Sequence, residues 1–158
     1  MWHRKVENPM ETTELETRVA VAHLMARYQF LADSGRINQL SQLFAADAVM
    51  ETNNGTYVGP DGIRGFFASV KDTFIASGFT PARHYLSSIY VEPTSARTAT
   101  TYACFQFVGT RGLDHWGTYT DEMALDDGTW RFTRRRAFVE GCVPGSPAET
   151  LLGITSKC

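Results

Sequence analysis

The sequence predicts an α+β fold in which a curved, mainly antiparallel sheet wraps around a long N-terminal helix. Two observations carry this. Apolar residues recur at helical spacing through most of the first half, and from residue 83 onward the chain is rich in β-formers broken by turn residues. Helices gathered ahead of a run of strands imply one helical layer against one sheet, not an alternating parallel fold.

Taken in order, residues 1–12 read as a disordered leader, with Met10 a possible second start. Val21, Leu24, Met25, Tyr28 and Leu31 then recur at three and four spacing, with Glu14, Glu16, Arg18 and Arg27 largely off that stripe. This is a helix from about residue 14 to 34, ended by Gly35, because glycine takes the left-handed cap conformation without a Cβ penalty. A short helix is expected over residues 37–44. Strands over 48–52 and 56–58 flank Asn53-Asn54-Gly55, a strong hairpin signal. Pro60 suits a first helical turn and opens a helix over about 61–77, whose inner face is Ile63, Phe66, Phe67, Val70 and Phe74. Strands are expected over 83–92, 96–108, 116–125 and 129–139, joined by turns that include Pro93-Thr94, Arg111-Gly112 and Asp127-Gly128. Residues 13–142 form the domain and 143–158 a C-terminal tail.

With 158 residues, 43% of them hydrophobic, the chain supports one core of ordinary size. Fifteen Lys and Arg against 17 Asp and Glu give a net charge of −2, which leaves no basic excess for tracking a phosphate backbone. Nucleic acid is not expected as a partner. The one basic run, Arg134-Arg135-Arg136, alternates between faces if it lies on a strand. No apolar run approaches the roughly 20 residues of a membrane helix, and no signal-peptide pattern is present, so a cytoplasmic, membrane-free protein is expected. Cys104, Cys142 and Cys158 are widely spaced and do not suggest a disulfide scaffold.

The chemistry-bearing residues are Asp33, His84 and Tyr28. Asp33 sits in the last turn of its helix, where the macrodipole disfavours a negative charge by a few tenths to about 1 kcal/mol. Its placement calls for another reason, and a carboxylate that fixes the tautomer of an imidazole and raises its basicity supplies one. Motifs for nucleotides, serine hydrolases and zinc proteases are missing, and His3, His23, His84 and His115 lack metal-ligand spacing. No cofactor and no metal are expected.

Several stretches resemble the SnoaL-like polyketide cyclase family of the nuclear-transport-factor-2-like superfamily. They are Tyr28-Gln-Phe-Leu-Ala-Asp33, Leu43-Phe-Ala-Ala-Asp47-Ala, Tyr57-Val-Gly-Pro-Asp-Gly-Ile63, Arg83-His84, Gly117-Thr-Tyr119-Thr-Asp121 and Asp127-Gly-Thr-Trp130-Arg-Phe132, leading to Arg135. The resemblance covers roughly residues 14 to 140 and implies a cone-shaped domain with a ligand cavity. It also implies relatives such as scytalone dehydratase, bile acid dehydratases, a dehydrochlorinase of chlorinated cyclohexanes, steroid isomerases and ring cyclases. Dehydrating members pair an aspartate on the first helix with a histidine on the first long strand and a nearby tyrosine, which carries over here to Asp33, His84 and Tyr28. The chain departs from scytalone dehydratase in having Tyr102, Cys104 and Gln106, with no histidine, on the next strand; His115 comes one strand later.

The expected function is therefore a cofactor-free lyase or isomerase, of dehydratase or cyclase type, acting on a small apolar cyclic molecule. The alternative is a binding or dimerisation domain of the same fold. Substrate-binding candidates are Tyr57, Phe67, Tyr102, His115, Trp116 and Tyr119. The outer face of the sheet needs cover, so a homo-oligomer, dimer or trimer, is expected.

Overall fold

The computed structural model describes residues 12–152. Helix α1 (Thr12–Asp33) is followed by the short α2 (Ile37–Ser41), the hairpin β1 (Phe44–Thr52) and β2 (Gly55–Val58), and α3 (Gly59–Ala76). Four long strands come next, β3 (Arg83–Ser95), β4 (Thr98–Gly109), β5 (Gly112–Asp126) and β6 (Thr129–Cys142), and then a short α4 (Pro147–Leu152). The expected leader lies outside the described residues except for Thr12, with which α1 begins, and so does the end of the expected tail. The part of that tail that is described contributes α4, whose Ala148 is buried.

The six strands form one curved, unclosed sheet in the order β2-β1-β6-β5-β4-β3. All neighbours are antiparallel except β1 and β6, which run parallel. The fold is thus the α+β arrangement expected, with α1 lying inside the curve. Its stripe of Val21, Leu24, Met25, Tyr28 and Leu31 is buried against Phe44, Ile63, Met123 and Phe132 in one core cluster.

The end of α1 matters because it sets the position of Asp33. Gly35, at φ +68, lets the Gly35 N–H bond the Ala32 carbonyl and the Arg36 N–H bond the Leu31 carbonyl, a paired C-terminal cap that turns the chain sharply. Three boundaries differ from expectation. The helix expected over 37–44 ends at Ser41, because the Leu43 carbonyl is taken by the Phe132 N–H at 3.0 Å and Phe44 joins the sheet. Pro93-Thr94 is not a turn but part of β3, an edge strand where proline's missing N–H costs no ladder bond. Finally, β5 begins at Gly112 rather than 116, which brings Asp114 and His115 into the sheet.

Candidate active site

Asp33 closes α1 and His84 opens β3, 51 residues later, and the fold brings them together. Asp33 Oδ1 lies 2.8 Å from His84 Nδ1, and Asp33 Oδ2 accepts the His84 backbone N–H at 3.0 Å. Both carboxylate oxygens thus engage His84, which fixes the imidazole in position and orientation. A carboxylate on Nδ1 selects the Nδ1–H tautomer and leaves the Nε2 lone pair free; among the described residues Nε2 has no protein partner. Gln29, one helical turn before Asp33, donates from Nε2 to Asp33 Oδ1 at 3.4 Å, while its Oε1 is buried without a partner. Burial holds the His84 imidazole below the ordinary histidine range, against the opposing pull of Asp33. Near neutral pH the ring is therefore an unprotonated base.

This pair lies on the wall of a cavity of about 440 Å³ whose mainly apolar lining includes the aromatics Tyr28, Phe66, Phe67, Phe74, Phe105, Phe107 and Tyr119. That size is within the range of small-molecule pockets. His84 packs on Phe107 with ring centroids 4.3 Å apart, and Phe105 stacks on Tyr119 at 4.5 Å. Exposed Lys71 and Arg83, with Asn53 and Asn54 of the hairpin turn, contribute polar groups to the lining.

Tyr28 is almost fully buried on the floor of the cavity. Burial pushes its phenol up to about 12, with Arg135 opposing, so it remains a proton donor across the neutral range. The Arg135 guanidinium lies over the Tyr28 ring at 3.8 Å and over Tyr119 at 4.1 Å, and its Nε is 3.2 Å from Asp121 Oδ1; both charged side chains are fully buried. Beneath the apolar floor sits a buried ion pair that supports two of the cavity's phenols.

Of the remaining candidates, Phe67, His115 and Tyr119 line the cavity. Three do not. Tyr102 and Trp116 are corrections: the inward residues of β4 are Ala99, Thr101, Ala103, Phe105 and Phe107, so Tyr102 faces outward, and Trp116, opposite Gln106, is 39% exposed on the same outer face. Tyr57 lies outside the lining and packs on Phe66, with centroids 4.6 Å apart. Sequence reasoning missed Gln29 and Asp114. The first was findable, since four-residue spacing puts Gln29 on the helix face of Asp33; Asp114 was not, because neighbours on a regular strand face opposite ways. Among the described residues no group of three or more His, Cys, Asp or Glu is gathered as metal ligands would be.

A family model described as a SnoaL-like domain matches residues 13–136. Solved structures with the same fold include LinA, at 23% identity over 84% of this chain and 93% of that one with a TM-score of 0.73. A candidate scytalone dehydratase from Novosphingobium aromaticivorans is 22% identical over 83% of this chain and 89% of its own, with a TM-score of 0.71. The hexachlorocyclohexane dehydrochlorinase LinA-type3 from Novosphingobium barchaimii is 21% identical over 84% and 94%, with a TM-score of 0.69. No curated protein sequence matches the chain.

Proposed function

The chain belongs to the SnoaL-like domain family of the nuclear-transport-factor-2-like superfamily, and from that premise we propose that it is a cofactor-independent lyase that eliminates water, or a comparable leaving group, from a small apolar cyclic ketone. The observation that carries this reading is the Asp33–His84 pair, 2.8 Å apart on the wall of an aromatic cavity. His84 Nε2 removes a proton from a carbon made acidic by a neighbouring carbonyl. Asp33 keeps the ring in place and stabilises the imidazolium that forms, a service that a general base typically turns into a 10²- to 10⁴-fold rate gain, to order of magnitude. Tyr28, protonated on the cavity floor, is the donor for the oxyanion or the leaving group. The same proton abstraction serves ring closure or double-bond isomerisation, but two of the similar folds carry names that denote elimination, dehydratase and dehydrochlorinase.

A suitable probe is 3-hydroxy-1-tetralone, a β-hydroxy ketone that loses water to give 1-naphthol, read by absorbance. The wild type should convert it, and His84→Ala should lower turnover by roughly 100-fold to 10,000-fold while leaving circular dichroism unchanged. Saturable binding of the ketone without conversion, unaffected by replacing Asp33 or His84, would instead make the protein a ligand-binding domain. Tyr85, Tyr90, Tyr102 and Trp116 stand exposed on the outer sheet face, and this apolar surface supports a homo-oligomer packed through the sheet.

A further inference from the structure

Beside the Asp33–His84 pair, two strands along the same face of the sheet, stands a second aspartate–histidine pair built from adjacent residues. His115 lines the cavity, and its Nδ1 lies 2.5 Å from Asp114 Oδ1. On a regular strand two consecutive side chains cannot both turn inward. Here they do, with Asp114 fully buried and His115 7% exposed, because of a bulge: β4 residues Phe107 and Val108 pair with His115 and Leu113, which leaves Asp114 as the extra, unpaired residue. Bulges recur beside active sites, where they re-aim side chains. Asp114 pays for its position, since Oδ2 is buried with no hydrogen-bond partner and His115 is its one side-chain partner among the described residues. A fully buried carboxylate satisfied on one oxygen alone is costly unless its charge is used.

The rings of His84 and His115 have centroids 6.2 Å apart and planes at 79°. Each has its Nδ1 tied to its own carboxylate, and neither Nε2 has a protein partner among the described residues. A substrate lying over both rings would meet one imidazole from β3 and another from β5. Resting on the lyase reading above, we infer that His115 is a second catalytic residue, the general acid that protonates the departing hydroxyl, and that Asp114 is its positioning residue. The step balances without a co-reactant. His84 Nε2 takes the proton from carbon, the C–H electron pair becomes the new C=C bond, the C–O bond breaks, and the proton on His115 Nε2 leaves with the hydroxyl as water. His84 ends protonated and His115 neutral, and both reset by exchange with solvent.

The groups around His115 are few. Asp114 is on its own strand, His84 approaches from β3, and Cys142 sits opposite it on β6, with Glu149 of α4 acting together with Asp114 on the Cys142 thiol. From α3 and β4 the neighbours are Phe74, Phe105 and Phe107, which carry no charge.

The test compares two leaving groups, hydroxide, which needs a proton to depart, and chloride, which does not, using 3-hydroxy-1-tetralone and 3-chloro-1-tetralone. His115→Gln should lower turnover of the hydroxy ketone at least tenfold more than that of the chloro ketone, whereas His84→Ala should lower both alike. Asp114→Asn should lower kcat for the hydroxy ketone with little change in KM or in turnover of the chloro ketone; a purely structural role would lower turnover of both probes alike. Equal loss on both probes in His115→Gln overturns the inference while leaving the lyase reading intact. Should the wild type convert neither probe, the lyase reading fails by itself, and imidazole ¹⁵N NMR still judges His115. A proton on Nδ1, held against Asp114, supports an acid positioned by that carboxylate, and an Nε2–H tautomer with Nδ1 bare overturns it.

Discussion

Replacing Asp121 with asparagine should destabilise the domain by several kcal/mol, to order of magnitude. The exchange keeps the shape of the side chain and removes its charge, leaving the guanidinium of Arg135 buried without a counter-ion. Burial opposes that cation, but Asp121, Tyr28 and Tyr119 hold it above the ordinary arginine value, so it does not escape by losing its proton. The faces of Tyr28, Tyr119 and Phe132, at 3.8, 4.1 and 4.7 Å, stabilise the cation but supply no negative charge. Breaking one partner out of a buried pair costs about 3–5 kcal/mol, and for a chain of this size that is a fall in Tm of roughly 6–20 °C. Urea unfolding followed by tryptophan fluorescence should show a lower midpoint at unchanged slope. The paired replacement Asp121→Leu with Arg135→Met should recover most of the loss, since an apolar pair of similar volume is often neutral. A loss below about 1 kcal/mol for Asp121→Asn, or a double variant no better than the single one, would refute the claim that this pair is a tightly coupled, dry support for the cavity floor.

Three further outcomes are expected. Gly117→Ala should unfold or strongly destabilise the protein in thermal melts, because a Cβ there would lie 1.9 Å from the Phe138 carbonyl oxygen and 2.9 Å from the Phe105 ring, and backbone cannot yield as a flexible side chain can. The kcat/KM profile for 3-hydroxy-1-tetralone should rise with pH through a midpoint below the ordinary histidine value: a base whose proton affinity is lowered by burial is already free at pH values where an exposed imidazole is still charged, and activity is lost as pH falls through that lowered value. Trp116→Lys together with Tyr85→Lys should shift sedimentation toward monomer while leaving the thermal melt of each chain largely in place, since both side chains stand on the outer sheet face; a wild type that sediments as a monomer at micromolar concentration would remove the sheet-packed oligomer altogether.

What the sequence disclosed and what it hid follow from the range of the forces involved. Helix α1, its glycine stop and the Asn-Gly hairpin rest on local spacing and backbone preference, and each lies where those rules place it. The start of β1 at Phe44 rests on a hydrogen bond to β6, nearly ninety residues away, which no local preference encodes. Strand faces were the weak point. Tyr102 and Trp116 have the composition of pocket residues, yet which side of a strand they occupy depends on register. The Asp114 bulge, which turns two consecutive residues inward, breaks the alternation on which such reasoning relies. Asp33 stood out by its unfavourable place at the C-terminal end of its helix, but its pairing with His84 was carried by the family resemblance, because nothing in their own surroundings in the sequence says that residues 51 positions apart share a hydrogen bond. Gln29 was within reach, being one helical turn from Asp33.

The central claim, that His84 removes a proton from carbon, can be isolated from every question about leaving groups by using 1-tetralone, which has none. In deuterated water, ¹H NMR follows exchange of the protons beside its carbonyl. The wild type should accelerate that exchange well above the buffer rate, and His84→Ala should return it to roughly 1% of the wild-type acceleration or less, the share of a general base. Exchange at the wild-type rate in His84→Ala, or no acceleration by a wild type that demonstrably binds the ketone, would contradict the account.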